Sequence, residues 1–276
     1  MVRAQPTGLM PHSTFRSGGG MKARPDAARE AQQPMAVRPT KAMVLAGGLG
    51  LRMRPLTLTT PKPLVQLAGK PLLDHVLDRL SAAGIEMVVV NVHYLPEQIE
   101  AHVNARSSPR VIISDERKKL LDTGGGVLKA LDKLGPDPFL ICNADSFSMS
   151  AASNALSRLA AAFDPDNMDC LMLMATTANT IGYDGYGDMF MASDGLLKRR
   201  REREVAPFVV TGTSIVHPRM FREAPKGPFS LNRLWDRAIE EGRLHGLRQD
   251  GVWLHIGSPG ALREAEQMLS SSELYF

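Results

Sequence analysis

Two cysteines, two tryptophans and an aromatic content of 5% in 276 residues set the first limits on this chain. Cys142 and Cys170 cannot build a disulfide framework or a thiolate metal cluster, so a reducing compartment, the cytoplasm, is expected. Both lie in apolar runs and read as small buried hydrophobes. No apolar run approaches the roughly 20 residues that cross a bilayer, so no membrane partner is expected. Excess charge is missing too, once the net +4 is divided along the chain. Residues 1–40 hold six basic side chains against Asp26 and Glu30, and the remainder is balanced at 27 basic and 27 acidic. A body with no net charge and no basic, aromatic-laced stripe offers nothing for nucleic acid to bind.

What is present divides unevenly. Residues 1–40 are rich in Pro, Ala, Gly, Ser and Arg, show no apolar periodicity and are expected to be disordered. They lack the apolar core of a secretory signal. Their Arg-rich, acid-poor character suits a transit peptide or, more simply, a start codon placed upstream of Met21, Met35 or Met43. Residues 41–270 are expected to form one domain, with 271–276 a short tail. Apolar runs at 42–46, 85–92, 110–113 and 138–142 read as buried parallel strands. Helix-period stretches at 71–83, 96–105 and 125–134 alternate with them, and Gly84 stands as a C-cap. That alternation predicts an α/β fold, a Rossmann-like, doubly wound mixed sheet. Further along, a helix is expected at 152–163 and a strand at 169–176. A hairpin turning at Asp194-Gly195 and a strand at 207–217 follow, the start of a small β-rich insertion. A helix at 230–241 capped by Ser230, short strands at 244–248 and 252–256, and a last helix at 259–269 complete the pattern.

The most informative stretch is 45–64, LAGGLGLRMRPLTLTTPKPL. It ends the first strand on Gly47, Gly48 and Gly50, then brings Arg52 and Lys62 to the same place among three prolines. In open α/β sheets ligands bind beyond the carboxyl ends of the strands. Glycines there let backbone N–H groups approach phosphate oxygens, and prolines hold cations at fixed reach. Two familiar phosphate loops fail: counted from Gly48, both G-x-x-x-x-G-K-[ST] and G-x-G-x-x-G need a glycine where Met53 stands. A solvated basic loop is the plainer alternative. Thr123-Gly124-Gly125-Gly126 opens a helix, where free N–H groups suit an anion or a base edge, or simply begin the helix. Asn143-Ala144-Asp145 follows the fourth strand, and Asp145 is placed to hold Mg²⁺ or to cap the next helix.

The pattern G-G-x-G-x-R-x-R-P-L-T followed by P-K-P-L resembles the signature of the sugar-1-phosphate nucleotidyltransferases, especially their N-acetylmuramate-1-phosphate uridylyltransferase type. NVHYLPEQIEAHV, LLDTGGGVLKAL, ICNADS and WLHIGSPGALREAE agree with it, so the resemblance spans about 41–270. It implies the nucleotidyltransferase type A fold, an Mg²⁺ cofactor, and a nucleoside triphosphate and a sugar 1-phosphate as partners. It implies nucleotide contacts from Ala46, Gly47, Gly48, Gly50, Thr123 and Gly124, and substrate contacts from Asn143 and Gly212. Arg52 and Lys62 would be catalytic and Asp145 a metal ligand. The chain departs from the family at Trp253-Leu254-His255-Ile256-Gly257-Ser258, where relatives commonly carry Asp at the position of His255. His255 is the candidate second ligand there, with phosphate hydrogen bonding or packing as alternatives. Leu51 also departs, since relatives often carry a small polar residue before the arginine. Guanylyl transfer to mannose 1-phosphate or thymidylyl transfer to glucose 1-phosphate would use almost the same loop. A nucleotide-sugar-binding regulator that had lost turnover is a further alternative, suggested by His255. Oligomeric state is not legible in the sequence.

Overall fold

Along the first strand, β1 (Lys41–Leu45), Ala42 and Val44 pack into one hydrophobic cluster and Met43 into another, and this alternation sets the layers of the molecule. The computed structural model describes residues 37–149 and 155–271. The disorder expected for residues 1–36 and the tail at 272–276 therefore lie outside the described residues, as do residues 152–154 of the fourth expected helix.

A two-residue pair, β2 (Gln66–Leu67) with β3 (Lys70–Pro71), leads into α1 (Leu72–Ala82). Then come β4 (Met87–Val92), α2 (Pro96–Asn104), β5 (Arg110–Asp115), α3 (Asp122–Leu134) and β6 (Phe139–Asn143). The strands β6, β1, β4 and β5 lie side by side and run parallel. Leu73, Leu77, Ile99 and Leu159 cover one face of this sheet, from α1, α2 and α4 (Ala155–Ala162). Val127, Ala130 and Leu134 of α3 cover the other. Helices on both faces make the doubly wound α/β architecture that the alternating sequence predicts.

The order β5–β4–β1–β6 carries the functional consequence. The chain steps outward from β1 through β4 and β5, then returns to place β6 on the opposite side of β1. Strand order thus reverses between β1 and β6, and a crevice opens beyond their carboxyl ends. Leu45 pairs with Asn143 in register, so the glycine loop after β1 and the Asn143-Ala144-Asp145 turn after β6 meet there.

The second half adds β7 (Ser146–Met149), β8 (Cys170–Thr176), β9 (Thr180–Ile181), β10 (Met189–Met191), β11 (Leu197–Arg199) and β12 (Phe208–Val216). The expected hairpin is β10 against β11, turning at Gly195, whose φ of +90° favours glycine. β12 runs antiparallel to β6 and β8, which extends the central sheet and makes it mixed. α5 (Asn232–Glu240), β13 (Leu244–Arg248), β14 (Val252–His255) and α6 (Pro259–Ser271) follow. Periodicity alone does not tell which sheet a short strand joins, and β14 belongs to a separate one, with β7 and β9. There His255 pairs with Ser146, so it stands beside Asp145. A third cluster, including Met53, Leu72, Leu254 and Leu262, ties the signature loop to this small sheet and to α6.

Away from the crevice, Asp169 is 7% exposed and accepts from Arg219 Nε at 2.6 Å and Arg243 Nε at 2.7 Å. Burial pushes its carboxyl up, but the two guanidinium groups outweigh burial and hold it below the usual carboxylate value. A folded-state pKa below the unfolded one stabilises at pH above the unfolded value, and this contribution is lost as pH falls through the folded value. Asp169→Asn should cost roughly 1.5–3 kcal/mol at neutral pH, the range for hydrogen bonds to charged groups. It should also flatten the acid limb of stability, as read by urea unfolding at several pH values. A variant whose acid limb matches the parent's excludes this role.

Candidate active site

Met53 explains why the signature loop departs from the two phosphate loops it was compared with. Its side chain is fully buried, while Arg52 and Arg54 on either side are exposed. The position that a Walker or dinucleotide loop gives to glycine is here an apolar anchor into the third cluster. The rest of the loop is pinned from outside. Gly50 sits at φ +63°, where an added Cβ would meet Thr57 at 3.0 Å and Lys62 at 3.2 Å. Thr57 Oγ1 donates to the Gly50 carbonyl at 2.7 Å, and Tyr94 Oη donates to the Thr57 carbonyl at 2.9 Å. Gln98 Nε2 donates to the Thr59 carbonyl at 2.9 Å. These hydrogen bonds join the loop to the segment around α2 and hold Arg52 and Lys62 on a short, fixed path.

The crevice is a cleft of about 570 Å³. Ala46, Gly47, Gly48, Gly50 and Arg52 form one wall, and Lys62, Asn143 and Asp145 another. Thr123 closes the far side with Leu120 and Asp122. Nine of the twelve residues singled out in the sequence therefore line one cavity. Lys62 Nζ donates to Asp145 Oδ2 at 2.5 Å, and both side chains keep only 15% and 22% of their surface. Arg52 has no hydrogen-bond or ion-pair partner among the described residues, so its charge is available to a ligand.

The remaining three sit elsewhere. Gly212 lies where the pairing of β12 with β8 shifts register, at φ +78°, and a Cβ there would meet the Asn143 side chain at 2.4 Å. It lines a second cavity of about 150 Å³, which shares Leu45, Thr123 and Asn143 with the cleft. Thr213, Ser214, Ser230 and Asn232 share the rest of its wall with Ile141, Met172, Val210, Leu231 and Trp235, an uncharged lining of mixed polar and apolar groups whose hydroxyls and amide can meet hydroxyl groups.

Gly124 corrects the expectation of free N–H groups at the start of the helix. Its amide donates to the Phe229 carbonyl at 2.8 Å, and that of Gly125 donates to the same oxygen at 3.1 Å. A Cβ on Gly124 would fall 2.3 Å from the Phe229 ring. The glycines admit a neighbouring chain segment, and their donors are already used. Thr123 Oγ1 in turn accepts from the Leu231 amide at 2.9 Å.

His255 stands behind Gly257, where a Cβ would lie 2.7 Å from His255 Nε2 and 3.6 Å from Arg52 Nη1. It stacks on Trp253 with ring centroids 5.4 Å apart. Burial lowers its pKa, Lys62 and Arg52 add to this, and Asp145 offsets part of it, so the imidazole is neutral at pH 7. No group of three or more His, Cys, Asp or Glu side chains able to hold a metal occurs among the described residues. Asp145 nevertheless fits Mg²⁺, which uses one or two carboxylates and completes its shell with phosphate oxygens and water.

Several cleft residues escaped the sequence reading. Leu120 and Asp122 lie within a quoted motif but were not singled out, and Asp122 takes a φ of +60°. Asn91, in NVHY, lines the cleft and accepts from the Ala46 amide at 2.8 Å. The signal that could have found it is a polar residue interrupting the apolar run MVVVNV. Cys142 and Cys170 are free and buried, with burial pushing the Cys170 thiol up to about 12. No helix among the described residues is long and apolar enough to cross a membrane.

Comparison with known proteins bears on the chain as a whole. A family model described as nucleotidyl transferase matches residues 41–272. An N-acetylmuramate alpha-1-phosphate uridylyltransferase of Caulobacter vibrioides is 46% identical over 242 residues, spanning 86% of this chain and 100% of that protein. One from Neisseria meningitidis serogroup B is 33% identical over 234 residues, spanning 83% and 97%. Among solved structures, a UDP-glucose pyrophosphorylase complexed with UDP-glucose matches with a TM-score of 0.71 at 17% identity, covering 84% of this chain and 98% of that one.

Proposed function

Because this chain belongs to the nucleotidyl transferase family and is a sugar-1-phosphate nucleotidyltransferase, we propose that it joins UTP to N-acetylmuramate 1-phosphate, giving the UDP-sugar and pyrophosphate. The observation that carries this reading is the cleft at the strand-order reversal, which the glycine loop, Arg52, Lys62 and Asp145 line together. The base and sugar come from the two uridylyltransferases, which align with this chain over nearly their whole length.

In the proposed reaction an oxygen of the sugar phosphate attacks the α-phosphorus of the triphosphate. The bond from that phosphorus to the oxygen bridging it to the β-phosphate breaks, and pyrophosphate leaves with the electron pair. The nucleophile is already an anion, so no general base is needed, and the obstacle is repulsion between anions. Positioning and charge stabilisation supply most of the catalysis of such transfers. Arg52, which lines the cleft and has no partner among the described residues, is suited to the charge gathering on pyrophosphate. Lys62 is suited to the α-phosphoryl oxygens and the incoming phosphate, once it parts from Asp145. The amides of Gly47, Gly48 and Gly50 would cradle the triphosphate. The uncharged cavity beside Asn143 and Gly212, with hydroxyl and amide groups among apolar ones, would take the sugar. Asp145 would hold Mg²⁺, which when bound orients the triphosphate and takes up developing charge.

His255 is the weaker ligand candidate, because Mg²⁺ favours oxygen donors and this imidazole borders two cations. His255→Ala is expected to leave the Mg²⁺ concentration for half-maximal turnover unchanged, and a clear rise would make it a ligand. With a free Arg52 in the cleft, turnover fits better than a binder that has lost catalysis. The compartment proposed is the cytoplasm, where UTP is made and both thiols stay reduced.

The 29–31% identity to several mannose-1-phosphate guanylyltransferases keeps a second base in view. A panel of UTP, GTP, CTP and dTTP against N-acetylmuramate, N-acetylglucosamine, glucose and mannose 1-phosphates, read by pyrophosphate release, decides the point. UTP with N-acetylmuramate 1-phosphate should give the highest kcat/KM. A preference for GTP with mannose 1-phosphate would replace this reading.

A further inference from the structure

Behind the cleft wall lies a buried chain of hydrogen bonds that joins its two sides. Ala46 N–H, at the start of the glycine loop, donates to Asn91 Oδ1 at 2.8 Å. Asn91 Nδ2 donates to Glu116 Oε1 at 2.9 Å, and Leu121 N–H donates to Glu116 Oε2 at 3.1 Å. Asn91 and Glu116 are 4% and 2% exposed. Two glycines make room for them. A Cβ on Gly126 would lie 2.8 Å from Glu116 Oε1 and 3.2 Å from Asn91 Nδ2, and one on Gly47 would lie 3.0 Å from Asn91 Nδ2. The chain therefore links the phosphate side, Ala46 and Gly47, to the segment that carries Leu120, Asp122 and Thr123 on the far wall.

The polarity of this link is demanding. Both of its ends are backbone N–H donors, so the two side chains between them must together offer acceptors at both ends. An amide passes polarity on, accepting at one end and donating at the other. Two amides in series would always leave one N–H facing another. One amide and one carboxylate solve the problem, and the carboxylate can stand at either position.

We propose that Glu116 and Asn91 are positioning residues that set the spacing between the phosphate-binding and far walls of the cleft, and so the affinity for the nucleoside triphosphate. This role rests on the cleft being a nucleotide site. It predicts a rescue by exchange. Glu116→Gln leaves one N–H opposed to another, and Asn91→Asp opposes two carboxylates at hydrogen-bonding distance. In the double variant, the carboxylate now at position 91 would accept from Ala46 N–H and from the side-chain amide now at position 116. The oxygen of that amide would accept from Leu121 N–H, so every donor again meets an acceptor.

The test uses the full chain with Mg²⁺ and UTP or GTP, reading the Kd by calorimetry, the KM for each substrate and the thermal midpoint. Each single variant should weaken nucleotide binding about tenfold or more, as strongly coupled neighbours do, and leave the KM for the sugar phosphate nearly unchanged. The double variant should bind within roughly threefold of the parent, a coupling of the size seen between contacting residues. Singles too unstable to purify, with a double that folds and binds, would support the same conclusion. Parent-like nucleotide affinity in both singles overturns the role, as does a double no better than the worse single. A double that regains its thermal midpoint but not its nucleotide affinity would mark the link as structural only and overturn positioning. If the parent chain binds neither UTP nor GTP, the nucleotide reading itself falls and positioning with it. Parent binding with an unrescued double removes the link alone.

Discussion

Arg52→Ala should lower kcat roughly 10²–10³-fold, the usual cost of losing one preorganised donor to a developing anion, while leaving the fold intact. The fold should survive because Arg52 is exposed and has no hydrogen-bond or ion-pair partner among the described residues, and Met53 beside it carries the packing. Lys62→Met should lose a similar factor but differs in a way that separates the two cations. Lys62 is bound to Asp145 at 2.5 Å, so it occupies the carboxylate proposed as the metal ligand. Removing its charge frees that carboxylate, and Mn²⁺ should then bind the nucleotide-free protein more tightly in Lys62→Met than in the parent or in Arg52→Ala. Steady-state turnover and electron paramagnetic resonance of free Mn²⁺ give the two readouts. Parent-like turnover in Arg52→Ala would end the charge-clamp account. Equal Mn²⁺ binding in all three proteins would end the proposed competition at Asp145.

Gly124→Ala should be among the most destabilising single-methyl changes in the chain. The new Cβ would lie 2.3 Å from Phe229 Cε2, 2.5 Å from Cδ2 and 2.9 Å from the Phe229 carbonyl oxygen. Overpacking of this kind typically costs about 1–3 kcal/mol, and here the backbone oxygen leaves less room to relax. Phe229 also accepts the amides of Gly124 and Gly125, so shifting it disturbs the start of α3 and, through Leu231, the Thr123 hydroxyl in the cleft. Phe229→Leu in the same chain removes ring atoms from the clash and should recover part of the lost stability and of the nucleotide KM. Thermal melts with matched kinetics measure both. If Gly124→Ala is as stable as the parent but binds nucleotide poorly, Gly124 serves the ligand directly and the packing account is wrong.

These cases also show which features could be read from the linear chain. The alternating apolar runs placed the core strands within a residue or two, because strand and helix periods are local and burial enforces them. The glycine loop, Arg52, Lys62 and Asp145 were found for a similar reason. A doubly wound sheet carries loops to the carboxyl ends of its strands, so knowing the strands locates the crevice. The glycine triplet was misjudged in one respect. An amide at a helix start looks free in sequence, and whether it is depends on a segment folded far away, here Phe229. Asn91 and Glu116 were missed because a single polar residue in a strand, or a glutamate leading a basic run, is ordinary in isolation.

The sequence by itself determined the fold class, the place of the crevice and the cations that enter it, because periodicity and backbone stiffness act between near neighbours. Only the tertiary structure decided which donors are already spent, that Lys62 and Asp145 hold each other, and that β14 brings His255 beside them. Each of those depends on groups far apart in the chain being brought together, and a hydrogen bond forms only once donor and acceptor are within about 3 Å, which local sequence does not specify.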